Sequence, residues 1–438
     1  MSREFTSFTI ADLQQTKQQM LSWANRFNIC CFLDNQQYQL SHHNYECLLA
    51  AGAEKYISAP AGDALNCLNR FQSENNDWLF GHLGYDLKNE IEPLQSSLPD
   101  GVAFPDLFFF IPQIVLQLTN HELRIGAPGI DPKCIFEEIM ATDICDEKAL
   151  SGLVSIEHRF TKQEYIDAVE KLQQHILRGD CYVINFCQEF YARNASINPL
   201  KVYQALSNTS PNPFSAFYKL NDKYLLCASP ERYLSKTGQH IFSQPIKGTS
   251  PRNKEDMVAD STNRESLYKS AKDRSENVMV VDLVRNDLAK VCEQGTVKVD
   301  ELFGVYSFPQ VHQMISTISG KVKANIAVSE IIAASFPMGS MTGAPKKRVM
   351  ELTECYEKTK RGLYSGAVGY ITPGGDFDFN VVIRSILYNA SSKYLSFQAG
   401  SAITFYSDAE QEYEECLLKA TAIRKVLSEE VCDAVIEG

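Results

Sequence analysis

Two glutamates stand three residues apart near the end of the chain, in the segment SDAEQEYEECLLKA. In a helix, Glu412 and Glu415 would share one face, where two unpaired carboxylates repel each other. A hard divalent cation would relieve that repulsion, and Glu276, in another predicted helix, would supply a third carboxylate. Glutamates at this spacing also form ordinary solvated helix faces. The segment therefore predicts either a cation site or an exposed acidic surface.

Two basic side chains stand in apolar surroundings. Lys247 follows a proline and an isoleucine in QPIKGTSPR, a stretch without acidic residues. A lysine in an apolar pocket loses proton affinity, and its neutral amine is a nucleophile; the alternative is an ordinary surface lysine. Arg384 interrupts the apolar pattern NVVIRSIL and should pair with a carboxylate, either from the protein or from a ligand.

A histidine and a glycine-containing turn complete the candidates. His312, in VHQMIST, is either a hydrogen-bonded core histidine or a site residue. The turn MGSMTGAPKKR is not a Walker loop, because Ala344 and Pro345 separate Gly343 from Lys346. It predicts a tight turn and a helix with proline in its first turn, whose free N–H groups would receive an anion such as a carboxylate.

Several elements must position these residues. Thr161 and Glu164 form a capping-box pattern before an apolar periodicity that ends at Gly179, which predicts an amphipathic helix. Helices are also predicted near residues 262–290, 328–336, 345–357 and 408–429, and strands in CYVINFCQEFYA, KYLLCAS, VVIRSILYNA and KYLSFQAG. Because these elements do not alternate as regular βαβ units, they predict a mixed α/β or α+β sandwich.

The composition restricts the cellular compartment and the binding partners that are expected. The 438 residues are 44% hydrophobic, enough for one large or two ordinary domains, and their net charge of −12 argues against a nucleic-acid partner. Thirteen cysteines without C-x-x-C, and no secretory signal, predict free thiols in the cytoplasm. The longest apolar run, 107–118, contains Pro112 and is too short for a bilayer, so no membrane association is expected.

A series of motifs between about residues 155 and 430 resembles the chorismate-utilising enzymes, the family of anthranilate synthase component I and isochorismate synthase. In chain order they are GDCYVINFCQEF, PFSAF, SPERY, PIKGT, DRSENVMVVDLVRND, FPQVHQMIST, FPMGSMTGAPKKRVME, RGLYSGAVGY, VVIRS and QAGSAIT. The resemblance implies a two-lobed α+β fold of packed antiparallel sheets with outer helices. It divides the chain into an N-terminal region (1–125), a connector (126–155) and a chorismate-binding catalytic domain (156–430).

The resemblance also implies roles for the candidate residues. Glu276, Glu415 and Glu412 would hold a Mg²⁺ that binds the ring carboxylate of chorismate. The enolpyruvyl carboxylate would be held by Arg384, Tyr364, Gly400 and Gly343. Thr249 and Gln188 are further substrate-binding positions, and His312 would line the ring near the C4 hydroxyl as a catalytic residue.

Two positions discriminate among family members. Where members that activate water carry a lysine, this chain has Gln188, so water activation is not expected. Where anthranilate synthases read P-I-A-G-T, this chain reads P-I-K-G-T, as the aminodeoxychorismate synthases do. The resemblance therefore implies that Lys247 adds to C2 of chorismate while the C4 hydroxyl leaves, with Glu231 as general acid. Ammonia would then displace the lysine and leave an amine at C4, for p-aminobenzoate and folate synthesis.

Ammonia requires a source. No cysteine stands in the G-x-C-x-G nucleophile elbow of glutaminases, so a separate glutamine amidotransferase subunit is expected as partner. Ala402 departs from the family's A-G-x-G pattern, and its Cβ would crowd a backbone that in the family approaches the substrate closely, which would affect affinity more than reaction type. The alternatives to C4 amination are an anthranilate synthase component I and a non-catalytic chorismate-binding subunit.

Overall fold

A computed structural model describes residues 3–38, 45–144, 154–308 and 311–432, the last four by their backbone alone. The helices in these ranges are α1 Leu13–Ala24, α2 Ala64–Glu74, α3 Lys88–Ile91, α4 Pro132–Met140, α5 Lys162–Leu177, α6 Pro199–Thr209, α7 Met257–Lys269, α8 Ala271–Val291, α9 Val328–Ser335, α10 Lys346–Tyr356 and α11 Ala409–Cys432.

The strands in the same ranges are β1 Thr6–Thr9, β2 Ile29–Asp34, β3 Cys47–Ala59, β4 Leu79–Leu83, β5 Leu107–Leu118, β6 Glu122–Gly126, β7 Glu157–His158, β8 Val183–Ala192, β9 Phe214–Leu220, β10 Lys223–Ser229, β11 Arg232–Thr237, β12 His240–Gln244, β13 Ile246–Pro251, β14 Lys298–Ser307, β15 Val311–Lys321, β16 Gly343–Ala344, β17 Ala367–Ile371, β18 Phe377–Val381, β19 Ser385–Asn389 and β20 Tyr394–Ile403.

The long strand β5 joins two antiparallel ladders. Its first half pairs with β4 and its second half with β6, while β3 pairs along its length. From β3 one ladder continues through β2, β9, β10, β19 and β20 to β8. From β4 the other continues through β17, β18, β11 and β12 to β15, which also pairs with β13 and β14. The predicted α+β class with antiparallel sheets is confirmed.

Two apolar cores lie against these ladders. One contains Phe80 of β4 and Phe379 of β18 together with Val284 of α8. The other contains Phe186 of β8 with side chains of α5, α6 and α11. Because every residue of β8 is buried, this strand is covered on both faces, which suits a near-continuous apolar sequence such as VINFC.

The division into regions 1–125, 126–155 and 156–430 stays a prediction. Strands from both sides of it share the ladders, since β2 pairs with β9 and β4 with β17. Helix α4 lies inside the predicted connector, and residues 145–153 of that connector lie outside the described residues.

The predicted helices are present, with two local corrections. At the start of α5, Thr161 and Glu164 form both hydrogen bonds of the capping box. The helical stretch near 262–290 is interrupted at Ser270, whose side chain accepts from Asp273 N and starts α8 as a new helix. Helix α10 begins at Lys346, so Pro345 precedes its first turn instead of lying within it.

Candidate active site

A β-bulge presents Lys247. The pairing of β13 with β15 shifts register between Ile246 and Thr249, and Gly248 lies there at φ 93°, a conformation that favours glycine. A Cβ on Gly248 would lie 2.9 Å from the Cβ of Asp273, so β13 passes close against α8. The K-G-T order thus aims Lys247 out of the ladder beside α8.

Lys247 is partly buried, and among the described residues its ammonium has no hydrogen bond and no ion pair. Burial lowers the pKa of Lys247 below its ordinary value, although the negative charges of Glu276 and Glu231 act against this. The positive charge of Lys419 lowers the pKa further. Of the two alternatives for this lysine, the exposed surface position is therefore wrong.

Glu231 lies between β10 and β11 with 4% of its surface exposed. Its backbone is held on both sides, because Glu231 N donates to Ser229 Oγ at 3.2 Å and Val381 N donates to Glu231 O at 3.0 Å. Burial raises the pKa of its carboxyl to about 7, against the opposing charges of Lys247 and Arg384. Near neutral pH this group therefore keeps a substantial protonated fraction.

Arg384 connects β18 to β19 at φ 50° and is partly buried. Among the described residues no carboxylate forms an ion pair with its guanidinium; burial lowers its pKa, and the charge of Glu231 partly restores it. Because the described residues supply no ion-pair partner, this cation is available to a ligand carboxylate.

The three predicted metal ligands are neighbours on two helices. Glu276 of α8 senses the negative charges of Glu412 and Glu415 of α11, which add to the effect of burial in raising the pKa of Glu276. Among the described residues, the buried Glu276 Oε1 has no hydrogen-bond partner. A buried carboxylate oxygen without a partner, near two other carboxylates, fits a divalent cation.

Two of these carboxylates, those of Glu412 and Glu415, are paired with lysines in this structure. Lys272 Nζ lies 3.4 Å from Glu412 Oε1, and Lys419 Nζ lies 2.8 Å from Glu415 Oε1 and 2.9 Å from Gly400 O. Within the described part of the chain, no three His, Cys, Asp or Glu side chains are already grouped closely enough to hold a metal ion. A cation would therefore require these side chains to move.

Gly400 and Gly343, the glycines expected to hold the enolpyruvyl carboxylate, allow their own strands to approach β8 closely. Gly400 of β20 pairs with Cys187, and a Cβ on it would clash with the carbonyl oxygen of Phe186. Gly343 lies at φ 144°, where a Cβ would clash with the carbonyl oxygen of Val183. Both positions require glycine for packing, and their roles towards a substrate stay predictions.

Tyr364 contacts this strand pair, and Ala402 belongs to it. Tyr364 is buried, with its hydroxyl 3.8 Å from Cys187 Sγ. Ala402 fits within the β20–β8 ladder opposite Asn185, so its methyl group is accommodated by the fold. Its effect on a bound substrate stays a prediction.

Gln188 and Thr249 lie on two different strands, β8 and β13. Gln188 is buried on the face of β8 opposite to Cys187, and its Nε2 points towards Cys416 Sγ at 3.5 Å. Thr249 is exposed on β13 opposite Gln313. Substrate binding by these two residues stays a prediction.

His312 is a hydrogen-bonded histidine that connects β15 to α7. It is 1% exposed, with Nδ1 2.8 Å from Ser307 Oγ and Nε2 3.2 Å from Asp260 Oδ1. Asp260 also accepts from Arg252 Nε at 2.9 Å. No sequence signal selects Asp260, because it lies 52 residues from the histidine. The catalytic role of His312 stays a prediction.

A buried ion pair between Arg361 and Glu357, which was not predicted from the sequence, links several segments around the site. Arg361 donates to both carboxylate oxygens of Glu357, at 2.6 and 3.0 Å, and to the carbonyl oxygens of Met341 and Asn185. Glu357 also accepts from Cys187 N at 3.0 Å. The pair thus fixes β8, the turn before Gly343 and the segment leading to Tyr364. Its only sequence signal is the spacing of four between two opposite charges.

Replacing Arg361 with methionine should lower the free energy of unfolding by about 3–5 kcal/mol, because Glu357 would remain buried without a counter-charge. Arg348→Met is the matched control, since the Arg348–Glu351 pair is partly exposed and should be worth about 1 kcal/mol or less. Urea denaturation of both variants measures the difference. Equal losses would contradict a structural role for the buried pair.

In the described ranges, no helix has the length and apolarity to cross a membrane.

The sequence is similar to a known family and to several named proteins. The model of the chorismate binding enzyme family matches residues 16–425. Aminodeoxychorismate synthase component 1 of Salmonella typhimurium is 33% identical over 344 residues, which cover 78% of this chain and 75% of that protein. Anthranilate synthase component 1 of Thermus thermophilus is 32% identical over 361 residues, covering 79% and 76%.

A solved structure shows the same fold. The crystal structure of anthranilate synthase component I from Streptococcus pneumoniae superposes with a TM-score of 0.75 at 23% identity, covering 88% of this chain and 94% of that one. With the family model matching most of the sequence, the chain belongs to the family of chorismate binding enzymes.

Proposed function

We propose that this protein is the chorismate-aminating component of an aminodeoxychorismate synthase, which forms 4-amino-4-deoxychorismate from chorismate and ammonia. Overall sequence identity does not distinguish amination at C4 from amination at C2. The relative named aminodeoxychorismate synthase component 1 is 33% identical to this chain, and the relative named anthranilate synthase component 1 is 32% identical. The choice depends on Lys247, an unpaired lysine of lowered pKa beside Glu231 and Glu276. This lysine is the observation that carries the proposal.

In the first step the neutral amine of Lys247 attacks C2 of chorismate. Both ring double bonds move, from C1=C2 and C5=C6 to C1=C6 and C4=C5, and the bond from C4 to its hydroxyl breaks, while Glu231 donates the proton that lets the hydroxyl leave as water. Lys247 must be unprotonated and Glu231 protonated for this step, and burial moves both pKa values in the required direction.

In the second step ammonia attacks C4 and the bond between C2 and the lysine nitrogen breaks. Both ring double bonds return to C1=C2 and C5=C6, and the Glu231 carboxylate accepts the proton that the new ammonium group loses. Two displacements in sequence restore Lys247 and place an amine where the hydroxyl was. The enolpyruvyl group stays on the ring, so no pyruvate forms.

The substrate is a dianion and requires positive charge in the pocket. The unpaired guanidinium of Arg384 suits one carboxylate of chorismate. Glu276, Glu412 and Glu415 would hold Mg²⁺, which when bound supplies positive charge to the other carboxylate. The orphaned Glu276 Oε1 supports this assignment.

Ammonia would come from a separate glutamine amidotransferase subunit. The relatives named component 1 imply a second component. In the proposed mechanism the nitrogen of Lys247 does not enter the product, so the amine must come from ammonia. We place the reaction in the cytoplasm, on the route to p-aminobenzoate and folate.

The test is the product formed from chorismate, Mg²⁺ and ammonium at mildly alkaline pH, resolved by chromatography and mass. We expect 4-amino-4-deoxychorismate without pyruvate. Anthranilate with pyruvate would instead indicate an anthranilate synthase. If chorismate raises the melting temperature but no product forms, the chain is a non-catalytic binding subunit.

A further inference from the structure

We propose that Lys272 is a built-in counter-ion of the carboxylate group formed by Glu276, Glu412 and Glu415, and that a divalent cation must displace it from Glu412 in order to bind. Lys272 would thereby lower the cation affinity of the substrate-free protein. This inference rests on the proposed cation site, and the experiment below separates the failure of one from the failure of the other.

Glu412 is the member of the group that most needs a counter-charge. Its side chain is 2% exposed, so its carboxylate has little access to water. Its one ion pair among the described residues is with Lys272, at 3.4 Å. A buried carboxylate without a partner is costly, and in the absence of a metal ion this lysine supplies the partner.

Lys272 lies where its ammonium can leave Glu412 and enter water. It reaches Glu412 from α8, a different helix, and 54% of its side chain is exposed. The ammonium can therefore move into water without a large desolvation cost. Because Lys272 and Glu276 are four residues apart on α8, the same helix face carries both the counter-ion and one of the carboxylates.

Lys419 is held differently and is not expected to leave. Its ammonium donates to Glu415 on the same helix at 2.8 Å and also to the backbone oxygen of Gly400 at 2.9 Å. The second partner is an uncharged carbonyl, which a metal ion bound by the glutamates would leave free. The hydrogen bond to this carbonyl therefore keeps Lys419 in place. The displaceable cation is therefore Lys272.

Displacement explains why the three carboxylates adjoin but are not yet grouped as ligands. Lys272 holds Glu412 at 3.4 Å, while Glu276 Oε1 has no hydrogen-bond partner among the described residues. A divalent cation offers Glu412 and Glu276 one common partner, so its binding and the release of Lys272 are a single exchange.

The experiment is a titration of the full chain with Mn²⁺ alone, in which free Mn²⁺ is measured by electron paramagnetic resonance without chorismate. Lys272→Met should bind Mn²⁺ about two- to fivefold more tightly than the wild type, the effect expected from removing one competing ion pair. Lys272→Arg keeps the charge and should bind Mn²⁺ as weakly as the wild type or more weakly.

Lys269→Met is the matched control. Lys269 lies three residues away, its ammonium pairs with Glu265 on the solvent side of α7, and its removal should leave the Mn²⁺ affinity unchanged. Equal or weaker Mn²⁺ binding by Lys272→Met would overturn the inference. Glu412→Gln and Glu276→Gln test the site itself: if neither weakens Mn²⁺ binding, the proposed cation site fails and the inference fails with it.

Discussion

Replacing Lys247 with alanine should reduce formation of 4-amino-4-deoxychorismate at least about a thousandfold, because the covalent route loses its nucleophile. Alanine also empties a partly buried position between Glu231 and Glu276 without adding a polar group. Initial rates at saturating chorismate and ammonium, with the product resolved by chromatography and mass, measure the loss. Mass spectrometry of the wild type with chorismate but without ammonia should show an adduct on Lys247.

Two further variants separate the nucleophile from its charge. Lys247→Arg keeps a cation that does not deprotonate near neutral pH, and it should be as inactive as the alanine variant. Lys236→Ala removes a lysine of strand β11, paired with Asp376, and should retain wild-type rates. If Lys247→Ala keeps a tenth of the wild-type rate, the covalent mechanism is wrong.

Replacing Glu231 with glutamine should lower kcat by about 10²–10⁴-fold, because glutamine keeps the size of the side chain but has no acidic proton to donate. The pH profile is the more specific measurement. The pKa of Glu231 is about 7, so the protonated form is lost as pH rises through 7. The wild-type kcat/KM should show a group that must be protonated with a pKa near 7, and the variant should lack it.

The same substitution should change the pH dependence of stability. Burial raises the pKa of Glu231 above the value near 4.3 of an exposed glutamate, so between about pH 4.3 and 7 the folded state binds more protons than the unfolded state. This group therefore makes the free energy of unfolding fall as pH rises through that window, and Glu231→Gln should show a smaller fall.

Glu265→Gln is the control for both measurements. Glu265 is an exposed residue of α7 whose carboxylate pairs with Lys269, away from the site. Its substitution should leave the kcat/KM profile near pH 7 and the slope of stability between pH 4.3 and 7 as in the wild type. A wild-type profile in Glu231→Gln would exclude this carboxyl as the general acid.

Much of this protein could be predicted from short stretches of sequence, because the relevant physics acts over a few residues. The capping box at Thr161 starts α5 as predicted, and the Lys-Gly-Thr order produces the bulge that presents Lys247. The spacing of Glu412 and Glu415 placed both on one helix, and the ordered motifs identified the family that the comparisons confirm. Local hydrogen bonds, helix periodicity and the φ angle open to glycine are properties of neighbouring residues.

The partners of these residues were decided by tertiary structure alone. Asp260 reaches His312 across 52 residues, and Arg361 reaches the carbonyl of Asn185 across 176. Lys272 lies 140 residues from Glu412, on a helix whose start at Ser270 interrupts a stretch that reads as continuously helical. Which helix faces meet, and whether an ammonium or a metal ion stands between them, depends on how the two ladders and their helices pack. The spacing of residues within a single element carries no information about that packing, because it describes only one of the two faces in contact.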